Sequence, residues 1–413
     1  MRYLLVYPKE IIIKTQISNL CFSFYLIFVI IIKRNESEIM VYLDYSATTP
    51  VNDEVLDTYV KVTKQFIGNP NSLHRIGVDA KKLIDASTEQ IADILGVKPS
   101  EIIYTSGASE SNNTAIKGVC LKYANRGKHI ITTELEHSSI VAPLNYLTTL
   151  GYEVDFVALD ENGRVDLDDL IRLIRDDTVL VTISSVNSEV GVRQNLKELS
   201  EVIKKKNSKT IFHSDITQSI GKEKLDLSYV DLASISCQKF YGMKGIGALI
   251  KKEKIQIEPL IHGGKSTTIF RSGTPATPLI ASFAKALRLV YEDFDNKCRH
   301  VKEIHDYLID KLQDVDVYIN SNDNCLPNMV NISLKNIKSE VMLHALEEKD
   351  IYVSTQTACS TGNYSKAVYA LTHDKDKSSS SMRISLSFLT TKEEIDIFVD
   401  ALKEAIEKLN FRR

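Results

Sequence analysis

The chain has 413 residues, 43% hydrophobic and 25% charged, with 51 basic against 54 acidic residues and a net charge of −3. That length allows two domains around a large shared core, and the balanced charge excludes the basic footprint of a protein that binds nucleic acid directly. Its six cysteines (Cys21, Cys120, Cys237, Cys298, Cys325 and Cys359) form no C-x-x-C pair, so no metal site is expected and their scatter suits a reducing cytoplasm.

Residues 1–39 differ from the rest. The apolar stretch 17–32 is followed by Lys33-Arg34; it is shorter than the roughly 20 residues a membrane span needs and lacks a small-residue cleavage site. We expect translation to begin at Met40, with 1–39 an annotation artefact or a poorly ordered extension. A membrane anchor at 17–32 is the lesser alternative.

From about residue 100 to 250, short apolar runs alternate with amphipathic stretches. Strands are expected at 102–105, 129–133, 154–158, 179–184, 210–215, 232–236 and 246–250. Helical spacing marks 138–147, 167–175 and 196–206, where Lys204-Lys205-Lys206 reads as a solvated helix face. Such alternation implies an α/β fold with a mainly parallel sheet flanked by helices. Ligands of such sheets sit beyond the carboxyl ends of the strands. Thr105-Ser106-Gly107, Glu136-His137, Asn187, Asp215 and Lys239 close these runs and should gather on one edge. A long helical region at 278–312, broken near Asn296, leads into a smaller α/β unit. That unit has strands at 329–334, 351–354 and 382–386, a helix at 339–348, a polar loop at 378–381 and a final helix capped by Thr391-x-x-Glu394. The division expected is a large domain, 55–295, and a small domain formed by 40–54 with 296–413.

Asp215 and Lys239 at neighbouring strand ends are the pairing that pyridoxal phosphate chemistry needs: a lysine to bond the cofactor aldehyde and a carboxylate to keep the pyridine nitrogen protonated. Strands often end in charged residues, so the pair alone is weak. Tyr104-Thr105-Ser106-Gly107-Ala108-Ser109 runs from strand into helix; it is a phosphate cradle or merely a well-capped helix. His137 is either a satisfied core histidine or a ring stacked on a cofactor and moving protons. Gln218, three residues after Asp215, either bonds a cofactor oxygen or faces solvent. Cys359 sits among small residues without apolar periodicity, in what we expect to be a mobile loop where a thiolate nucleophile would be useful. Arg383 interrupts an apolar strand; buried arginine needs an anion, either a structural partner or a substrate carboxylate.

Together these segments resemble the cysteine desulfurases of the NifS/IscS type, class V aminotransferase-like enzymes of pyridoxal phosphate fold-type I. The resemblance runs from about Val41 to Leu409. It includes Tyr42-Leu43-Asp44-Tyr45-Ser46-Ala47-Thr48-Thr49-Pro50, Gly68-Asn69-Pro70, Thr105-Ser106-Gly107-Ala108, Glu136-His137, Asp215-x-x-Gln218-Ser219, Lys239-x-Tyr241-Gly242-x-Lys244-Gly245-x-Gly247, Arg271-Ser272-Gly273-Thr274 and Ala358-Cys359. It implies pyridoxal 5'-phosphate as cofactor and L-cysteine as substrate, with L-alanine and a persulfide on Cys359 as products. By the same resemblance Lys239 carries the cofactor, Asp215 partners its ring nitrogen, His137 stacks on the ring and Gln218 reaches O3′. Ala108, Ser109, Ser236 and Gln238 surround phosphate, and Thr274 reaches the phosphate of a neighbouring subunit, which implies a homodimer. Asn187 and Ser188 contact cofactor, Asn187 and Arg383 contact substrate, and an iron–sulfur scaffold or another acceptor protein takes the sulfur.

Four departures stand out. Gln238 replaces a histidine, Ser188 an asparagine and Ser109 a threonine, and the stretch from Cys359 to Leu371 is about two residues shorter than in familiar members. They suggest weakened cofactor affinity or a divergent branch. A selenocysteine lyase, a class V aminotransferase and a catalytically impaired interaction protein are the alternatives.

Overall fold

The computed structural model describes residues 40–264, 266–355 and 364–411. Residues 1–39, with the stretch 17–32, and the Cys359 segment 356–363 lie outside the described residues. From Val41 onward the chain forms one compact unit. After β1 (Val41–Tyr42) come two helices, α1 (Asp53–Gln65) and α2 (Arg75–Leu95), which have no counterpart among the elements expected from sequence. The reason is a diluted pattern: α1 buries only Val55 and Val62, and the buried stripe of α2 includes Gly77, Ala80 and Ser87. α2 ends at Gly96, whose left-handed φ of 64° lets its N–H reach back to the last turn.

Strand and helix then alternate as expected: β2 (Ile102–Thr105), α3 (Ala108–Lys122), β3 (His129–Thr132), α4 (Ser138–Thr148), β4 (Glu153–Phe156), α5 (Leu167–Leu173), β5 (Thr178–Thr182), α6 (Leu196–Lys206) and β6 (Ile211–Asp215). β7 (Leu232–Ser236) and β8 (Gly247–Lys251) complete a seven-stranded sheet of order β2-β8-β7-β6-β5-β3-β4. Only β8 runs antiparallel to its neighbours. Both faces of the sheet are buried except at the edge strand β4, so the other strands read as largely apolar runs. Ile131, Val181, Phe212 and Ala233 pack on one face, while Ile130, Leu180, Ile211 and Leu232 pack on the other against α3 and α4. Lys204 departs from the solvated reading: its ammonium donates to Asp231 at 2.5 Å and to the Thr210 carbonyl at 2.6 Å.

The tail begins with α7 (Thr277–Tyr291) and α8 (Phe294–Leu312). The break falls at Asp293, earlier than the expected Asn296, because Asp293 takes a left-handed φ of 54°. There follow β9 (Val317–Ile319), β10 (Met329–Leu334), α9 (Ser339–Glu347), β11 (Ile351–Tyr352), α10 (Lys366–Thr372), α11 (Lys375–Ser379), β12 (Ser381–Ser385) and α12 (Lys392–Phe411). The polar loop expected at 378–381 is instead the end of α11 and the start of β12. Asp374 nucleates that short helix by accepting the N–H groups of Asp376 and Lys377. β12-β10-β9 form an antiparallel sheet and β1 pairs with β11. Val41 and Leu43 join an apolar cluster with residues of α8, β10, β12 and α12. The capping box is present, with Thr391 N–H on Glu394 at 2.8 Å and Glu394 N–H on Thr391 Oγ1 at 3.2 Å. Among the described residues no helix is long and apolar enough to cross a membrane.

Candidate active site

A cavity of about 350 Å3 opens at the carboxyl ends of the parallel strands, where such sheets hold ligands. Its wall brings together Ala108, Ser109, His137, Ser188, Asp215, Gln218, Ser236, Gln238, Lys239 and Arg383. These residues span almost three hundred positions, and every one was singled out from sequence. Two others are not on the wall. Asn187 is buried: one Nδ2 hydrogen goes to the Leu135 carbonyl at 2.7 Å, and Oδ1 accepts the N–H groups of Glu189 and Val190 at 2.8 Å each. It holds the turn that presents Ser188. Thr274 is exposed and lines no part of this cavity. Cys359 lies outside the described residues.

One end of the cavity is built for an anion. β2 runs into Gly107, with φ 152° and ψ 180°, and α3 starts at Ala108. That backbone is open essentially to glycine alone, and a Cβ there would stand 3.5 Å from Ser236 Oγ. The bare turn, the unpaired first-turn N–H groups of α3 and the hydroxyls of Ser109 and Ser236 face the same space. Gly247 lets β8 approach, since a Cβ on it would meet the Gly107 Cα at 2.7 Å. Glu110 borders this end but is turned to protein: it accepts the Ser106 N–H at 2.7 Å and pairs with Arg271 at 3.0 Å.

Lys239 follows β7 in a single 3-10 turn, Cys237–Lys239. Its ammonium donates to the carbonyls of Ser46 at 2.7 Å and Ala47 at 2.5 Å. The 46–49 segment is tied there by Thr49, whose N–H and hydroxyl both donate to the Gln238 carbonyl at 3.0 Å. Gln218 is oriented from both ends, giving Nε2 to the Ser46 carbonyl at 3.0 Å and taking Lys222 Nζ at 2.8 Å on Oε1. Burial, with Lys239 and Arg383 nearby, pulls Lys222 down to about 7.

Asp215 ends β6 and is held by two donors, Asn112 Nδ2 at 2.7 Å and Thr217 N–H at 3.0 Å. Asn112, Ser46, Ala47, Lys222 and Asp44 escaped the sequence reading. Ser46, Ala47 and Asp44 lie in the Tyr42–Pro50 motif, which was the available signal; nothing local marked Asn112. His137 caps α4, and burial pulls its imidazole below its usual value. Its neighbour Glu136 is pushed up to about 7 by burial, despite accepting from Ser184 and Thr133. Arg383 is 3% exposed. It donates from Nη2 to Asp44 at 2.6 Å and from Nη1 to the Ser188 carbonyl at 2.7 Å. Its Nε, also buried, has no partner among the described residues. A structural ion pair is therefore present, and the fork still has donors to give, Nε among them.

A family model described as aminotransferase class-V matches residues 41–398. The chain is similar to the cysteine desulfurase IscS of Dictyoglomus turgidum, 38% identical over 376 residues that make up 89% of this chain and 95% of that protein. Among solved structures, a NifS-like protein is 35% identical with a TM-score of 0.85, covering 89% of this chain and all of the other. SspA in complex with cysteine is 30% identical with a TM-score of 0.75, covering 85% of this chain and 99% of the other.

Proposed function

Because the chain belongs to the aminotransferase class-V family, we propose that it is a pyridoxal phosphate-dependent cysteine desulfurase, converting L-cysteine to L-alanine and a persulfide on Cys359. The observation that carries this reading is the single cavity that joins an anion cradle, Lys239, Asp215 and a buried arginine with a free donor. The donor set fits the cofactor. Gly107, Ala108, Ser109, Ser236 and Gln238 would hold its phosphate, Lys239 its aldehyde carbon, Asp215 its ring nitrogen, Gln218 its O3′ and His137 one ring face. Bound there, it supplies an electron sink that acidifies the Cα–H bond of an amino acid.

The protein's own groups do the rest. Lys239 moves a proton at Nζ once its amine is free. Asp215, held as an acceptor by Asn112 and Thr217, would keep the cofactor's ring nitrogen protonated. Arg383 binds the substrate carboxylate through N–H groups not already committed, Nε among them. The Cys359 thiolate attacks the substrate sulfur, takes it as a persulfide and leaves the former substrate to be protonated to alanine. His137 stands at the pocket wall, where its ring faces those groups. Gln238 and Ser188 lie where the family usually has longer or cationic side chains, so phosphate and ring are held by fewer charges.

The separate apolar clusters support a large domain at 55–295 and a small one from 40–54 with 296–413. A homodimer is proposed on the exposed Thr274 beside the Arg271–Glu110 pair at the cradle. A cytoplasmic setting suits the scattered thiols, and the acceptor is an iron–sulfur scaffold or another sulfur-receiving protein. Incubating the holoenzyme with L-cysteine and measuring alanine and protein persulfide together tests the reading. Both should form in equal amounts, and Cys359→Ala should keep the yellow cofactor while forming neither. Full turnover by that variant would remove Cys359 from the mechanism.

A further inference from the structure

The hydrogen bonds between Asp215 and His137 have only one consistent direction. Asn112 Nδ2 carries two hydrogens and has two acceptors, Asp215 Oδ2 at 2.7 Å and Ser139 Oγ at 2.8 Å. Turning the amide over would set its oxygen against the carboxylate, acceptor to acceptor. Ser139 Oγ, already accepting, has its own hydrogen to give, and His137 Nδ1 stands 2.8 Å away. The Ser139 backbone N–H, which can only donate, also points at Nδ1 from 3.1 Å. That second bond is the N-cap of α4. Nδ1 therefore receives two donors from one residue and has no room for a proton. Nε2 has no hydrogen-bond partner among the described residues, and the ring lines the cavity.

We infer that Ser139 is a positioning residue that fixes His137 as the neutral tautomer with its proton on Nε2, so that His137 offers the pocket a hydrogen-bond donor and not a base. This rests on the desulfurase reading only for its purpose; the tautomer is a property of the protein itself. It narrows the role of His137, since a neutral ring locked this way polarises what it faces without accepting a proton from it. A neutral histidine acting as an electrophile at a helix N-terminus has precedent in enzyme chemistry. The charged groups facing the ring divide. Asp215 and Glu189 favour the imidazolium, while Lys239 opposes it alongside burial. The two donors at Nδ1 add to the neutral side, because each must be given up if Nδ1 takes a proton.

The test is 15N NMR of the histidine-labelled holoenzyme, with a His137→Gln sample to assign the resonance. Near neutral pH the expected spectrum has His137 Nε2 protonated and Nδ1 bare. Ser139→Ala removes one donor and should raise the imidazolium fraction about tenfold at a given acidic pH, the effect of one hydrogen bond. Ser139→Thr retains the hydroxyl and should titrate as the parent does. The acid limb of the pH–rate profile for alanine formation should move upward in Ser139→Ala alone. A protonated Nδ1 in the parent at neutral pH, or an unmoved titration in Ser139→Ala, overturns the inference. An enzyme that shows the expected tautomer but makes no alanine or persulfide refutes the desulfurase reading and leaves this one standing.

Discussion

Glu136 is a carboxyl inside the fold whose protonation should govern stability near neutral pH. It accepts the Ser184 N–H at 3.0 Å, the Ser184 hydroxyl at 2.5 Å and the Thr133 hydroxyl at 2.8 Å, yet burial, followed by the opposing charge of Asp215, pushes it up to about 7 from 4.5. The folded state thus binds this proton more tightly than the unfolded chain. Its contribution is complete below about 4.5, declines as pH rises, and is gone above about 7. Integrating proton binding between pH 5 and pH 8 gives a loss of about 2.5 kcal/mol from this one group. Glu136→Gln replaces it with a neutral isostere: Oε1 can still accept from Ser184, and Nε2 can donate to Thr133 Oγ1. The variant should match the parent within about 1 kcal/mol at pH 5 and exceed it by roughly 2 kcal/mol at pH 8. Denaturant titration of both proteins at the two pH values measures this, because every other titrating group cancels in the difference. Parallel stability curves for the two proteins would show that Glu136 ionises as freely folded as unfolded, and the burial argument would fail.

Arg383→Gln should raise KM for cysteine by about 10- to 100-fold, the worth of a charge-assisted contact to a carboxylate. It should also cost up to about 3 kcal/mol of stability, because Asp44 loses its partner while keeping partial access to water; an unchanged KM would take the substrate contact away from Arg383. Gly107→Ala forces a side chain onto a backbone of φ 152°, at a cost of about 1–3 kcal/mol. It also intrudes on the cradle, so pyridoxal phosphate should dissociate more readily in a fluorescence titration, and parental affinity would place the phosphate elsewhere. Borohydride reduction of the holoenzyme should fix the cofactor on the peptide containing Lys239, and Lys239→Ala should leave no labelled peptide; label retained in that variant would point to another amine.

Within the chain, burial of both faces made every strand of the sheet but the edge strand β4 legible as an apolar run, and the shared direction of all strands but β8 put their polar ends on one edge. Asp215, Ser236 and Lys239 could be placed together for that reason, before any contact was known. A local pattern reports which way a side chain faces, and for a parallel sheet that is nearly enough to find the ligand edge. It does not report partners supplied from afar. The carbonyls of Ser46 and Ala47 that hold Lys239, the Asp44 carboxylate on Arg383 and the Asn112 amide on Asp215 come from segments brought in only by the crossover connections and by the pairing of β1 with β11. Asn187 shows the same limit from the other side: its position at a strand end is readable, but its amide turns inward to hold a loop. What residue types stand near the site was written in the sequence. Which of their atoms are spent on the protein and which are left for a ligand was decided by packing, because a buried donor or acceptor must find its partner wherever the fold puts one.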